Sequence, residues 1–228
     1  MVGILDSGRG GENTARELRR LGSSADILLY LDREHAPYGE RSEEELVPII
    51  EEGIESLKGR GADIVLLACC TASTVYPRLS PKAREVSIPI IEPVARHALT
   101  LADGGRIALI ATERTIASGE FSALLGESLA ISIPAPRLVR LIDGGARDGS
   151  AGEEAEDYLA KILAPLEEID IRVLILGCTH FSSLAGEIRS VLGKLKKNKI
   201  LIADSAKIAA ETLMSKAKFT GVGRLMRI

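Results

Sequence analysis

Short apolar runs rich in β-branched residues alternate along the chain with longer stretches whose apolar positions recur every three to four residues. The short runs have the character of strands buried on both faces. The longer stretches have that of helices with one apolar stripe. Their alternation predicts βαβ units on parallel sheets, an α/β fold throughout. Strands are expected at residues 2–5, 26–31, 63–68, 88–91, 106–111, 138–141, 172–176 and 199–202. Helices are expected at 13–21, 42–58, 92–102, 117–125, 153–166 and 206–216, the second opened by a capping box of Ser42 and Glu45. The Gly- and Asp-rich stretch 144–154 reads as a loop within a domain rather than a linker between domains.

One apolar run occurs twice. Asp63 to Ser73 (DIVLLACCTAS) and Ile171 to Phe181 (IRVLILGCTHF) are both strands that run into a cysteine followed by a threonine. The copies lie about half a chain apart, which predicts two similar lobes. Each then places a thiol at the carboxyl end of a parallel strand, where open α/β sheets bind their ligands.

Composition narrows the function. Lys and Arg number 29 against 32 Asp and Glu, a net charge of -3, so no concentrated positive charge is available for nucleic acid. Aromatic residues make up 3% and there is no Trp, which argues against stacking platforms for bases or sugars. The apolar runs are far shorter than the roughly 20 residues of a spanning helix, so no membrane partner is expected. The first residues, MVGILDSG, have no basic segment of a signal peptide, and three cysteines, two of them adjacent, make no disulfide framework. Reduced thiols in a cytoplasmic protein follow.

A buried free cysteine most often fills space. Two thiols in equivalent places of a half-repeat, one with His180 two residues on, suit a particular reaction. A racemase removes a proton from one face of a carbon and returns one to the other, so it needs two acid/base groups on opposite sides. One must start as thiolate and the other as thiol. The Cys178-x-His180 pair also fits a hydrolase nucleophile with its base, although no third orienting residue can be named; metal spacing is absent. His35 and His97 have no such neighbour and read as surface residues. The loop Asp6-Ser7-Gly8-Arg9-Gly10-Gly11, between a strand and a helix, matches neither a dinucleotide nor a P-loop pattern. Its glycines allow close backbone approach, and a helix amino terminus favours a carboxylate. Asp6 stands where it could orient a substrate ammonium or a proton-transfer group. Pro37-Tyr38-Gly39 is a turn signal, and capping accounts for at least one of Thr112, Thr115 and Ser118.

Taken in order, the strings Asp6 to Gly11, Pro37 to Gly39, Ala68 to Ser73, Thr112-x-x-Thr115-x-x-Ser118-Gly119, Gly177 to His180 and Asp204-Ser205 resemble the glutamate racemases of the aspartate/glutamate racemase superfamily. The likeness runs over nearly the whole chain. It implies two α/β lobes, residues 1–93 plus 204–228 and residues 94–203, with the active site in the cleft between them, no cofactor and no metal. It implies that Cys69 and Cys178 flank the α-carbon of glutamate, that Asp6 and His180 assist them, and that Ser7, Pro37, Tyr38, Gly39, Thr71, Thr115 and Thr179 hold the substrate. An acidic residue at Asp143, a homodimer, and D-glutamate supplied to peptidoglycan are implied as well.

The chain also departs from that pattern. Cys70 occupies the place of a substrate-binding asparagine and is counted with the substrate contacts. The family motif selects Cys69 as the first base, whereas gap-free alignment of the half-repeats pairs Cys70 with Cys178; Cys69 is the preferred reading. Arg9 adds a cation near the expected carboxylate site, Asp143 stands for a longer Glu, and Phe181-Ser182-Ser183 replaces Tyr-Pro-Leu. These departures leave open a racemase for aspartate or another small acid, and a ligand-binding homologue without turnover.

Overall fold

The computed structural model describes residues 1–145, 150–216 and 221–228. Nine strands form two sheets among these residues, and every pair in both is parallel. In chain order the elements of the first half are β1 (Val2–Asp6), α1 (Arg9–Arg20), β2 (Ile27–Leu31), α2 (Glu43–Gly59), β3 (Ile64–Leu67), α3 (Cys70–Ser73), α4 (Pro81–Glu85), β4 (Ser87–Pro89) and α5 (Ile91–Ala102). There follow β5 (Ile107–Ala111), α6 (Glu113–Ala117), α7 (Glu120–Leu125), β6 (Leu129–Pro134), α8 (Pro136–Gly145), α9 (Ser150–Leu163), β7 (Val173–Gly177), α10 (Ala185–Lys194), β8 (Leu201–Asp204), α11 (Ser205–Lys216) and β9 (Leu225–Arg227). The first sheet runs β4-β3-β1-β2-β9 and the second β6-β5-β7-β8.

The central strands are apolar at nearly every position because both faces are covered. β1, β5 and β7 are buried along their whole length. One core cluster lies between the sheets, where α5 contributes Val94, Ala95 and Ala98 and α11 contributes Ala209, Ala210 and Leu213. Small alanines on those helices let the two layers approach closely. The outer face of the first sheet is covered by α2 through Leu46, Ile50 and Leu57, and that of the second by α8, α9 and α10 through Leu138, Leu159 and Ile188. The Ser42–Glu45 capping box is present, with both reciprocal hydrogen bonds made.

Several elements differ from the sequence pattern. Residues 138–141 were expected as a strand and lie inside α8. Pro136 opens that helix, and Leu138 and Ile142, one helical turn apart, are buried while Arg140 between them is exposed, whereas a strand would put all three on one face. The strand of that βαβ unit is β6, a half-buried edge whose mixed residues carry little pattern. The expected helix 117–125 is broken by Gly119, whose φ of +73 separates α6 from α7. The expected loop 144–154 is helical through Gly145 and again from Ser150; residues 146–149 lie outside the described part. β9 and α10 had no reading. β9 pairs with β2, and Asp26 grips Arg224 by the backbone N–H at 2.9 Å and the guanidinium at 2.7 Å, which lowers the Asp26 carboxyl to about 2.

Candidate active site

Because all strands of both sheets are parallel, the carboxyl ends of four central ones can meet at one place. A cavity of ≈ 270 Å³ lies there, lined by Ser7 after β1, Cys69 and Thr71 after β3, Thr112 and Glu113 after β5, and Cys178 and His180 after β7. Pro37, Tyr38, Gly39 and Glu40 close one side, and Pro136, Val139 and Arg140 of α8 close the other.

Cys69 and Cys178 occupy matching positions. Each is the extended residue that precedes a helical turn, α3 for Cys69 and the 3-10 turn Thr179–Leu184 for Cys178. Cys70 does not line the cavity. As the first residue of α3 it points to the opposite side, into the core between the sheets, where its thiol donates to the Ser205 hydroxyl at 3.5 Å. Its counting as a substrate contact is corrected accordingly.

Two hydrogen-bonded groups tie the lobes beneath the cavity. Thr71, Thr112 and Thr115 form a closed triangle of hydroxyls with separations of 3.0, 3.1 and 2.9 Å. Thr112 also caps α6 through the Thr115 N–H at 3.2 Å. Thr115 is fully buried behind Thr71 and Thr112 and does not reach the cavity. On the other side Thr179 donates to the Asp6 carboxylate at 2.9 Å, and Gly8 N–H donates to the same group at 3.0 Å. Asp6 and Thr179 are completely buried and lie behind the lining rather than in it, so Asp6 has no direct path to a substrate ammonium. Asn13 holds the Thr179 carbonyl at 2.9 Å. Tyr38 is buried and donates its hydroxyl to Asp32 at 2.7 Å. Asp32 is shared with the His35 ring at 2.9 Å, so His35 is a half-buried partner rather than a free surface residue.

His180 bridges two neighbours. Its Nδ1 is 3.7 Å from the Cys178 sulfur, and its Nε2, buried without a hydrogen bond, is 3.6 Å from Asp143. Asp143 is thus the third residue that spacing could not name. It sits outside the main cavity with Arg9 and Arg33, in an adjoining space of ≈ 430 Å³ that shares Ser7. Arg9 does not reach the main cavity, because its guanidinium donates to the Ile142 carbonyl at 3.1 Å. Glu40, Glu113, Pro136, Val139 and Arg140 had no part in the sequence reading. Three of them lie on α8, and a helical reading of 136–143 would have placed Val139 and Arg140 on the turn beside Asp143. Among the described residues no group of side chains could hold a metal ion, and no helix is long and apolar enough to cross a membrane.

Burial sets the acidity of the thiols. It pushes Cys69 up to about 11, the Asp6 charge adding to it, while Ser7 and the N–H groups at the start of α3 oppose. Burial likewise raises Cys178 well above its ordinary value, with Cys69 and Cys70 adding to it. Asp6 is itself raised by burial, held back by His180, Gly8 and Thr179. The folded chain therefore holds the Cys69 proton more tightly than the unfolded chain does. Stability from this group is complete below about pH 9 and declines as pH rises toward 11. Urea unfolding at pH 8 and at pH 10.5 should show the wild type losing about 2 kcal/mol more than Cys69→Ala over that window. Equal losses in the two proteins would show that Cys69 is not the group being held.

The arrangement can deliver or accept a proton from two thiols in one closed space, each beside hydrogen-bond donors that stabilise negative charge. Comparison with known proteins gives the same direction. A profile of the family described as Asp/Glu/Hydantoin racemase matches residues 12–213. The glutamate racemase of Desulforudis audaxviator is 40% identical over 197 residues, 84% of this chain and 71% of that one. The crystal structure of a glutamate racemase isoform from Bacillus anthracis superposes with a TM-score of 0.84 at 30% identity, covering 100% of this chain and 86% of that one. Escherichia coli glutamate racemase, in complex with L-glutamate, superposes with a TM-score of 0.72 at 27% identity, covering 93% and 81%. The α/β fold with two parallel sheets matches that of the solved glutamate racemase structures.

Proposed function

The chain belongs to the Asp/Glu/hydantoin racemase family, and from that membership we propose that it interconverts L- and D-glutamate by proton transfer between two cysteines, without a cofactor. The observation that carries the reading is the pair Cys69 and Cys178, at matching strand ends of two sheets and lining one cavity.

In one direction the Cys69 thiolate removes the α-proton and Cys178 gives a proton to the other face; in the reverse direction the roles exchange. Each thiol must be deprotonated in its turn, although burial favours the neutral form. Substrate binding is the step that changes this: the substrate ammonium enters beside the thiols and favours the thiolate. His180, 3.7 Å from Cys178, relays charge to and from that thiol, with Asp143 orienting the ring. Asp6 positions Thr179 and the turn that carries Cys178. The lining residues Ser7, Tyr38, Gly39 and Thr71 surround the carboxylates. The developing carbanion has no conjugated electron sink among the side chains, so oriented N–H and hydroxyl dipoles carry that load. In a cell that builds peptidoglycan, the D-glutamate product supplies its wall.

The Cys178, His180 and Asp143 array also has the order of a cysteine hydrolase. That reading assigns no task to Cys69, which lines the same cavity, whereas the racemase reading does. The test is incubation with each enantiomer of glutamate and of aspartate in deuterated water. Both glutamate enantiomers should lose optical rotation and take up deuterium at the α-carbon. Exchange with aspartate alone would replace the substrate, and exchange with neither would sink the reading.

A further inference from the structure

The turn that follows Cys178 is held by more than its own backbone. Thr179 is gripped at two points: its hydroxyl donates to Asp6 at 2.9 Å, and its carbonyl accepts from Asn13 Nδ2 at 2.9 Å. That carbonyl belongs to the planar peptide joining Thr179 to His180. Asn13 therefore fixes the plane from which His180 leaves the chain, one residue after Cys178. The same Nδ2 donates to the Ser183 hydroxyl at 2.9 Å, and Ser183 donates to Asn13 Oδ1 at 3.3 Å. Arg16, one turn further along α1, also donates to Oδ1 at 3.3 Å. Asn13 is 5% exposed and lies outside the cavity lining.

These contacts join α1, which follows β1 of the first sheet, to a turn that follows β7 of the second. Phe181-Ser182-Ser183 stands where the racemase motif has Tyr-Pro-Leu, and the structure gives each serine a partner. Ser182 donates to Asp204 at 2.5 Å, and the same carboxylate accepts the Ala206 N–H at the start of α11. Ser183 meets Asn13. Neither proline nor leucine has a side-chain group that could make these bonds. Asparagine is the shortest side chain with two N–H donors and no charge, so it can serve a carbonyl and a hydroxyl together.

We propose that Asn13 is a positioning residue for the second thiol: acting through the Thr179 carbonyl and Ser183, it sets where Cys178 and His180 stand in the cavity. The inference rests on the racemase reading above. Asn13 brings no charge, so its loss misplaces one of the two proton-transfer groups and leaves Cys69, after β3, in place.

The test is racemisation by the full chain of each glutamate enantiomer, with hydrogen or deuterium at the α-carbon; thermal melting confirms that each variant is folded. Asn13→Ala should lower kcat/KM by about 10- to 10²-fold, the effect of a displacement of up to about 1 Å, mostly through kcat. The primary isotope effects on kcat/KM should move apart. For the enantiomer whose α-proton Cys178 removes, the isotopic step becomes slower and the effect rises. For the other, Cys69 still removes the proton and delivery by Cys178 becomes limiting, so the effect falls. Ser183→Ala, which keeps the Thr179 bond, should shift the two effects in the same senses by less. A general loss of stability would lower the active fraction and leave both isotope effects unchanged. That outcome, isotope effects that move together, or an undiminished kcat/KM in Asn13→Ala overturns the proposal. Should Asn13→Ala not fold, unchanged isotope effects in Ser183→Ala overturn it. A wild type that exchanges no α-proton would instead remove the racemase reading, so the two failures are distinct.

Discussion

Cys178→Ala is expected to lower racemisation by about 10²- to 10⁴-fold, the usual contribution of a positioned acid or base. The loss should be accompanied by a change in stereochemistry of exchange. With Cys178 gone, Cys69 can still take the α-proton from the enantiomer that faces it and return deuterium to the same face. That enantiomer should exchange slowly without inversion, and the other should not exchange at all. Cys69→Ala should give the mirror result. Proton NMR of each glutamate enantiomer in deuterated water reads both. Cys70→Ala belongs to the same experiment, because its thiol packs against Ser205 on the core side of α3. It should retain turnover and lose about 1 kcal/mol of stability, the cost of a small buried cavity. Activity surviving in Cys69→Ala but not in Cys70→Ala would reverse the assignment of the first base.

Gly10→Ala should damage the enzyme without touching any group that transfers a proton. A Cβ on Gly10 would lie 2.0 Å from the Thr179 hydroxyl oxygen, 2.7 Å from its Cβ and 2.9 Å from an Asp6 carboxylate oxygen. None of these is the free end of a long side chain. Relief requires α1 to move away from the turn that follows Cys178, which breaks the 2.9 Å bond between Thr179 and Asp6. Overpacking of this kind costs about 1–3 kcal/mol. A displacement near 1 Å of Cys178 and His180 should reduce kcat/KM by about 10²-fold. The control is Gly59→Ala at the end of α2, where a methyl group meets nothing within 4 Å. It should melt at or above the wild-type temperature and keep full activity. Normal stability and activity in Gly10→Ala would mean that the docking of α1 on that turn does not position the site.

Periodicity located most of the strands, because a strand covered on both faces must be apolar at nearly every position, and β1, β3, β5 and β7 are of that kind. It failed where burial is partial. β6 and β9 are edges with few apolar neighbours, and α8 carries Leu138, Val139 and Leu141, three apolar residues in four that fit a strand as well as a helix over so short a run. The cost of that last misreading was functional, since α8 supplies Val139, Arg140 and Asp143. The repeated strand and thiol were legible because each copy is a local string. Asp143 beside His180 was not, because nothing in the spacing of residues 37 apart reports a contact made across a helix and a turn.

From its residues alone the chain is an α/β protein of parallel strands, with thiols at two equivalent strand ends, and its ordered motifs suffice for its family. Those features follow from backbone sterics and burial, which act over a few residues at a time. The choice between two adjacent cysteines could not follow in that way. Cys69 is extended and Cys70 begins a helical turn, so their side chains leave on opposite sides, one into the cavity and one toward Ser205. Which side is the cavity depends on where the second sheet stands, and the same packing brings Glu40 to Arg140.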